Sequence, residues 1–424
     1  MTVSTQLRER FETTGKSSDA AREANYLRVP YALSVSDEEE VEAVVRVLRT
    51  STLPGPNVTE FEEKIAALFA KDRGVMVNSG SSALLLGIAA MDLPRGSEVI
   101  TPALTFSTTV ASQVQNGLVP AFVDVDPETL NIREDQVEEM ITSNTRAMVI
   151  PNLMGNIPDW DALRSIADKH DLMVLEDSAD TLDTKLHGRP TGERADVCTT
   201  SFYGAHIINC AGNGGLLCTN DEAIENRARI LRGWGRRSSV FSESESANAR
   251  FGIDIDGIPY DAKYVFDMVG YNFEPSEIGA AFGLVQFKRL PEFLKSRQAT
   301  FERHKAFFKR YEEFFVLPTM LPGADVTWYA FPLIVRDDAP FTRNEMQIYL
   351  EERGIQTRPV FTGNILRQPG FKAIARRESR HGYPAADLVT RGGIVIGCHQ
   401  GLSEAQLQHI YDTATQFLKS RTGQ

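Results

Sequence analysis

A predicted β-strand runs into a turn at Ser201-Phe202-Tyr203-Gly204-Ala205-His206, and Gly212-Asn213-Gly214-Gly215 follows shortly after it. Such a turn presents side chains to a pocket instead of packing them, so one residue there can decide the chemistry of a site. His206 is the candidate, because an imidazole gains and loses a proton near neutral pH. The stretch therefore predicts a functional site around His206 at the end of a strand.

Short apolar runs alternate with helix-like segments on either side of this strand. The runs are Gly74–Val77, Glu98–Ile100, Ala121–Val125, Ala147–Ile150, Leu172–Leu175, Val197–Phe202 and Gly215–Cys218. Helical periodicity separates most of them, as from Asp159 to His170. Nearly continuous apolar strands between helices are typical of a mostly parallel sheet covered on both faces. The predicted fold class is α/β, with a large domain built on a mixed, mostly parallel sheet.

The chain is too long for one hydrophobic core, because single cores stop growing at roughly 250–300 residues and this chain has 424. We expect an N-terminal arm at 1–28, a large domain at 29–290 and a smaller C-terminal α+β domain at 291–424. A long helix, predicted from about Pro291 to Phe315, leads out of the large domain. Residues 236–262 hold few apolar side chains and several turn formers, which predicts a long surface loop.

Composition excludes several classes of protein. The 45 basic and 57 acidic residues give a net charge of −12, which argues against nucleic-acid binding. No apolar run reaches the ~18 residues that cross a bilayer, and the N-terminus lacks an apolar signal core, so we expect a cytoplasmic protein without membrane contacts. The four cysteines form no CxxC pair, and we expect them to be buried and to bind no metal.

An anion site is predicted at Asn78-Ser79-Gly80-Ser81-Ser82, which follows a strand and opens a helix. Free backbone N–H groups at a helix N-terminus, together with hydroxyls and a glycine, suit one phosphate group. Serine is also the commonest helix cap, so the stretch alone fits either role.

Two further strand ends carry side chains suited to a flat, cationic ring. Glu176 and Asp177 place carboxylates where α/β proteins bind ligands, and an acid there can pair with a protonated ring nitrogen. Phe106 follows another strand and can stack on a ring. Taken alone, the acids also fit a helix cap, and Phe106 also fits the core.

These motifs occur in one order, and in that order they resemble a known family. The matching stretches are Gly55–Glu62, Ser79–Ala83, Pro102–Phe106, Phe122–Asp126, Glu176–Asp177, Ser201–Tyr203 and Gly270–Asn272. They resemble the sugar aminotransferases of the DegT/DnrJ/EryC1/StrS family over nearly the whole chain. The resemblance implies an aspartate-aminotransferase-like fold of type I, a pyridoxal or pyridoxamine 5′-phosphate cofactor, and a homodimer with shared active sites.

By this resemblance, Gly80, Ser81 and Ser201 would bind the cofactor phosphate. Asn272 would reach in from the other subunit. Phe106 would lie over the pyridine ring, and Asp177 would hold its nitrogen protonated so that the ring accepts electrons. The full set of implied cofactor-binding residues is Gly80, Ser81, Ser82, Phe106, Asp177, Asp180, Ser201 and Asn272.

The aminotransferases of this family carry a lysine five residues after the serine, and this chain has His206 there. Imidazole cannot form the stable covalent link to the cofactor that lysine forms, but it can move a proton. Lys185 lies in a predicted hairpin and is not expected to substitute. The segment after His206 is one residue longer than the family pattern, with Asn213 where glutamate is usual.

A histidine at this position is similar to a small branch of the family. Its members remove the C3 hydroxyl of nucleotide-linked 4-keto-6-deoxy sugars and recycle the cofactor with an amino acid such as L-glutamate. The likeness extends to Asp261–Tyr264, Thr357–Asn364 and Arg367–Pro369, whose cationic and amide groups suit a sugar and a diphosphate, although a surface turn also explains them. The implied substrate residues are Arg358, Asn364, Arg367 and Gln368.

Three alternatives stay open. A related dehydratase carries an iron–sulfur cluster and takes electrons from a reductase, but this chain lacks the matching cysteines near Ala179 and in 236–248, so we predict no cluster. An aminotransferase-like enzyme would need another lysine. A non-catalytic relative that binds a sugar nucleotide is disfavoured, because Asp177, Phe106 and Ser201 are all retained.

Overall fold

A computed structural model describes residues 27–241 and 246–423 of the chain. Residues 1–26 of the predicted arm, and 242–245 of the predicted loop, lie outside the described residues. Within the described ranges, no helix combines the length and the apolar character needed to span a membrane.

Strands and helices alternate along most of the chain. The strands are β1 (Arg73–Val77), β2 (Glu98–Pro102), β3 (Val119–Val123), β4 (Thr145–Pro151), β5 (Met173–Ser178), β6 (Lys185–Leu186), β7 (Arg189–Pro190), β8 (Val197–Ser201), β9 (Gly215–Thr219), β10 (Ile253–Ile255), β11 (Ile258–Tyr260), β12 (Phe315–Val316), β13 (Ala324–Asp325), β14 (Phe331–Val335), β15 (Thr357–Arg358) and β16 (Gly393–Ile396). The helices are α1 (Glu38–Arg49), α2 (Pro56–Leu68), α3 (Gly80–Ala90), α4 (Ser107–Gln115), α5 (Trp160–Lys169), α6 (Glu222–Arg232), α7 (Ala247–Phe251), α8 (Glu277–Phe308), α9 (Arg343–Glu351), α10 (Pro384–Gly392) and α11 (Glu404–Thr422).

A seven-stranded sheet, in the order β1-β9-β8-β5-β4-β2-β3, forms the centre of the large domain. Each of the seven predicted apolar runs forms one of its strands, so the predicted α/β class is confirmed. β9 is antiparallel to both of its neighbours, and the remaining pairs are parallel. The carboxyl ends of β2, β4, β5 and β8 therefore meet at one edge of the sheet.

Both faces of the sheet are buried, which explains why its strands lack polar alternation. Successive side chains of a strand point to opposite faces. In β1, Val75 and Val77 belong to the same buried cluster as Leu84 of α3, whereas Met76 belongs to the cluster that contains Phe61 of α2. Helices thus cover both layers, and only strand ends and loops remain free to build a site.

The helix predicted from Pro291 to Phe315 instead spans Glu277–Phe308. Ser276 caps its start by accepting a hydrogen bond from the Gly279 N–H, and Pro291 lies inside the helix instead of opening it. Proline is favoured at a helix start, which is why the sequence pattern placed the boundary there. The boundary predicted between residues 290 and 291 therefore falls within one continuous helix.

The segment 236–262 was expected to be a loop, and the structure corrects this in part. It contains α7 and a hairpin of β10 and β11. The hairpin turns at Asp256 and Gly257, which have φ values of 52° and 87°. Asp-Gly is a preferred pair for such a turn, so the signal was present in the sequence.

The small domain contains the antiparallel sheet β12-β14-β16-β15 with α9, α10 and α11 nearby in sequence. The predicted hairpin around Lys185 is confirmed as β6 and β7, and β13 pairs with β6. This pairing attaches the segment after α8 to the large domain.

Candidate functional site

A cavity of about 460 Å³ opens at the carboxyl edge of the seven-stranded sheet. Its walls come from the ends of β4, β5 and β8, from the first residues of α3, and from segments of the small domain. Ligands of α/β proteins bind at this edge. The position agrees with the site predicted from the strand that ends at Ser201.

The start of α3, where the sequence predicts an anion site, borders the cavity. Ser79 caps the helix by accepting a hydrogen bond from the Ser82 N–H (3.1 Å), and the N–H groups of Gly80 and Ser81, in the first turn, have no partner within the helix. A Cβ on Gly80 would lie 2.5 Å from the Cβ of Ser201, so only glycine lets the helix start approach that serine. Gly80, Ser81 and Ser201 all line the cavity, as predicted.

Ser82 does not join this subsite. Its hydroxyl donates to Oδ1 of Asn78 (2.7 Å), and it is absent from the cavity lining. The hydroxyl thus helps to hold the helix start, and the predicted cofactor contact of Ser82 stays a prediction.

Two buried carboxyl groups, Asp177 and Asp180, also line the cavity. Asp177 accepts hydrogen bonds from the Thr109 hydroxyl (2.7 Å) and the Ala179 N–H (3.2 Å), and burial raises its pKa to about 6. Asp180 accepts one from the Met154 N–H (3.0 Å), and burial together with the charge of Asp177 raises its pKa to about 8. A cationic group placed beside these carboxyls would stabilise their ionised forms and lower both pKa values.

An aromatic side chain also lines the cavity. Phe106 is 49% exposed and meets Phe361 of the small domain edge-on, with ring centroids 5.6 Å apart. An anion subsite, an exposed ring and a buried carboxylate in one cavity match the three parts of pyridoxamine phosphate: phosphate, flat ring and protonated nitrogen. The residues present therefore fit the cofactor that the family resemblance implied.

His206 lines the cavity on the turn after β8 and is half-buried. Its Nδ1 bonds the carbonyl oxygen of Ala179, which only accepts, so Nδ1 carries the proton and Nε2 keeps its lone pair. Burial lowers the pKa of His206 to about 4, with a further contribution from the positive charge of Arg297. The imidazole is thus neutral at neutral pH, and Nε2 can act as a base.

The longer segment after His206 folds back onto the turn. The Gly204 N–H donates to the Gly212 carbonyl (3.0 Å), and Gly212 takes the left-handed conformation with a φ of 106°. Asn213 then lies in the cavity lining. The extra residue therefore does not remove this position from the site.

Among the four predicted substrate residues, only Arg358 lines the cavity. Asn364 donates to Asp387 (2.8 Å), Arg367 forms an ion pair with the same carboxylate (2.5 Å), and Gln368 donates to the Thr362 carbonyl (2.7 Å). The substrate contacts predicted for these three residues stay predictions.

Asn272 is exposed and is not part of the cavity lining of its own chain. The prediction that it serves the site of another subunit is not tested by one chain.

Within the described ranges, the cavity lining contains no lysine. Lys185 lies on β6 and pairs with Asp183 (Nζ–Oδ1 3.2 Å). The prediction that it does not replace the missing lysine agrees with this position.

Sequence reasoning missed two tyrosines of the lining. Tyr31 precedes the first helix, and Tyr329 belongs to the small domain; the Tyr329 ring lies 5.3 Å from the His206 ring. Burial raises the pKa of both phenols, to about 12 for Tyr329, and the charge of Asp180 raises both further. No local motif marks either residue, because each reaches the site through long-range packing.

Thr109, the donor to Asp177, was also missed, although a polar Ser-Thr-Thr run follows Phe106. That run after a strand end was a usable signal for a hydrogen-bond donor at this edge.

Comparisons with known proteins agree with the geometry. A model of the DegT/DnrJ/EryC1/StrS aminotransferase family matches residues 34–415. The chain is 32% identical over 402 residues to dTDP-4-dehydro-2,6-dideoxy-D-glucose 3-dehydratase of Saccharopolyspora spinosa, an alignment that covers 92% of this chain and 86% of that protein. It is similar to the E. coli GDP-4-keto-6-deoxy-D-mannose-3-dehydratase with bound hydrated PLP, at 28% identity and a TM-score of 0.81, over 91% of this chain and 100% of that one. A structure of GDP-4-keto-6-deoxymannose-3-dehydratase with a trapped PLP-glutamate geminal diamine matches at 26% identity and a TM-score of 0.81, over the same shares.

Proposed function

The chain belongs to the DegT/DnrJ/EryC1/StrS aminotransferase family, and from this premise we propose that it removes the C3 hydroxyl of a nucleotide-linked 4-keto-6-deoxyhexose. It has the fold of the type I enzymes and uses pyridoxal or pyridoxamine 5′-phosphate. One observation carries the proposal: His206, at the position where the family resemblance implies a lysine, lines the cavity, and the described lining offers no lysine instead.

Five residues of the lining would hold the cofactor. Gly80, Ser81 and Ser201 would bind its phosphate, Phe106 would cover its ring, and Asp177 would pair with its ring nitrogen. A cation beside Asp177 would lower the raised pKa of that carboxyl and keep it ionised. When bound, pyridoxamine phosphate supplies an amino group for the C4 ketone and a conjugated ring that accepts electrons.

His206 would be the proton-transfer group. The Ala179 carbonyl fixes Nδ1 as the donor, so Nε2 is free to take a proton and to return it. A lysine here would instead favour amination, because a primary amine can hold the cofactor covalently.

The deoxygenation is proposed to need no iron–sulfur cluster. All four cysteines are buried and free, which confirms the expectation of burial, and among the described side chains no group of three His, Cys, Asp or Glu is arranged to bind a metal. An amino acid such as L-glutamate is proposed to regenerate the cofactor, which is supported by the glutamate adduct of the related structure.

A homodimer with shared sites is proposed as the working form. The exposed position of Asn272, outside the lining of its own cavity, supports this. A cytoplasmic location is likewise proposed.

The test is incubation with pyridoxamine phosphate, L-glutamate and a panel of dTDP- and GDP-linked 4-keto-6-deoxyhexoses, followed by mass spectrometry. The expected product is one oxygen atom lighter than the substrate. His206→Asn is expected to abolish this product while the protein still binds the cofactor, as measured by absorbance.

Two outcomes would contradict the proposal. An amino sugar as the product, or cofactor fixed to a lysine after borohydride treatment, would identify an aminotransferase. Turnover that depends on an added reductase would refute the proposal that the deoxygenation needs no iron–sulfur cluster.

A further inference from the structure

A buried arginine bonds to segments next to His206. Arg297, in α8, is 1% exposed. Its Nε donates to Oε1 of Gln400 (2.8 Å), and its Nη1 donates to the carbonyl oxygen of Tyr329 (2.8 Å). Among the described residues, none accepts a hydrogen bond from its Nη2. Buried cations usually pair with a carboxylate, and within the described part of the chain none acts on Arg297.

Both hydrogen-bond partners of the Arg297 guanidinium connect it to His206. Gln400 donates from Nε2 to the carbonyl oxygen of Ile207 (3.3 Å), the residue that follows His206. Tyr329 packs its ring against the imidazole, with centroids 5.3 Å apart. Arg297 itself is absent from the cavity lining. Arg297, from outside the cavity, therefore holds both the turn that carries His206 and the Tyr329 segment that packs against the His206 ring.

We propose that Arg297 is a positioning residue for His206, which fixes the turn and the Tyr329 segment and keeps a positive charge beside the imidazole. The inference rests on the proposed function, in which His206 moves a proton. A group that takes a proton must keep one orientation and stay unprotonated until it acts. The two hydrogen bonds of Arg297 would keep the imidazole in one orientation. Its positive charge, which no carboxylate neutralises, would keep the imidazole unprotonated.

The charge acts on more than one buried imidazole. Burial lowers the pKa of His206 and of His399, each to about 4, and the charge of Arg297 contributes in the same direction. The other titratable or charged groups that line the cavity around His206 are Tyr31, Asp177, Asp180, Tyr203, Tyr329 and Arg358. Because a cation disfavours a second positive charge, removal of Arg297 is expected to raise the pKa of His206.

The test is an NMR titration of the cofactor-free protein with histidine labelled by ¹³C at Cε1. The chain has seven histidines, and His206→Asn identifies the resonance of interest. Arg297→Met is expected to raise the pKa of His206 by on the order of one unit. Arg297→Lys keeps the charge but lacks the planar guanidinium that donates in two fixed directions, so the pKa is expected to stay low while the resonance shifts or broadens.

Arg194→Met is the matched control. Arg194 is also buried, at 4% exposure, but it donates to the carbonyls of Leu186 and Pro190 in the β6–β7 hairpin. This variant is expected to leave the titration of His206 unchanged.

A second variant covers the case in which Arg297→Met does not fold. Gln400→Leu keeps the cation but removes the link to Ile207, so the resonance of His206 is expected to move without a full rise in pKa. An unchanged resonance and titration in the folded variants would overturn the proposal.

The titration uses neither cofactor nor sugar. A protein that shows the Arg297 effect but gives no deoxygenated product would refute the proposed function and leave the positioning role standing.

Discussion

Asp180→Asn is expected to stabilise the cofactor-free protein at neutral pH. Asp180 is 8% exposed, and burial with the nearby charge of Asp177 raises its pKa from 3.8 to about 8. At pH 7 the folded protein therefore keeps this carboxyl protonated, whereas the unfolded chain ionises it. At pH 7 this difference lowers the free energy of unfolding by at most about 4 kcal/mol, since each pKa unit between 3.8 and 7 corresponds to ~1.4 kcal/mol.

The raised pKa of Asp180 also determines how the stability difference between the variant and the wild type changes with pH. Below pH 3.8 the Asp180 carboxyl is protonated in both the folded and the unfolded state, and its contribution to the free energy of unfolding is largest. That contribution is lost as the pH rises towards 8, because the unfolded chain ionises the group and the folded protein does not. Asparagine has no such dependence, and its amide oxygen can still accept the Met154 N–H. The advantage of the variant is thus expected to grow by up to ~1.4 kcal/mol per pH unit between pH 5 and 8.

Thermal unfolding of both cofactor-free proteins, followed by circular dichroism from pH 5 to 8, measures this difference. Asp72→Asn, at an exposed position, is the control and is expected to change the melting temperature little at any pH. A melting-temperature difference between Asp180→Asn and wild type that stays constant across this range would refute the reasoning.

Two other perturbations test the anion subsite and the buried histidines. Gly80→Ala would place a Cβ 2.5 Å from the Cβ of Ser201. The cofactor affinity of this variant, measured by fluorescence, should fall at least about tenfold. The control is Gly370→Ala, whose new Cβ would meet no atom within 4 Å and which should bind the cofactor normally. His304 is buried and burial lowers its pKa from 6.5 to about 4, so the folded state loses up to ~1.4 kcal/mol per pH unit as the pH falls from 6.5 to 4. His304→Gln should make the melting temperature fall less steeply over that range, and an unchanged slope would contradict the assignment.

The sheet could be predicted because its strands are buried on both faces. Runs such as Ala147–Ile150 have no polar alternation, and helices separate them at regular intervals. Parallel strands ending at one edge then bring Asp177 and Ser201 together, whatever the details of packing. This part of the site depends on local pattern and topology alone.

The remaining parts depend on contacts that no local pattern encodes. Arg367 has the side chain of a phosphate ligand, but Asp387, 20 residues further along, already pairs with it. Tyr329 and Arg297 approach His206 only because the small domain packs against the large one. Their roles follow from the three-dimensional arrangement, since tyrosine and arginine occur in many other settings.

The start of α2 also depends on a distant residue. That helix begins at Pro56, where the carboxylate of Glu277 accepts the N–H groups of Gly55, Asn57 and Val58. A glutamate more than 200 positions away supplies the cap that the local sequence lacks.

The continuous helix α8 limits how the cavity can open. It joins the large domain to the segments that bring Tyr329 and Arg358, so any swing of the small domain must bend it. Pro291 has no N–H, which leaves the carbonyl of Phe287 without its helical bond and makes this turn the weakest point. A Pro291→Ala variant would restore the missing N–H and is expected to stabilise this turn of the helix.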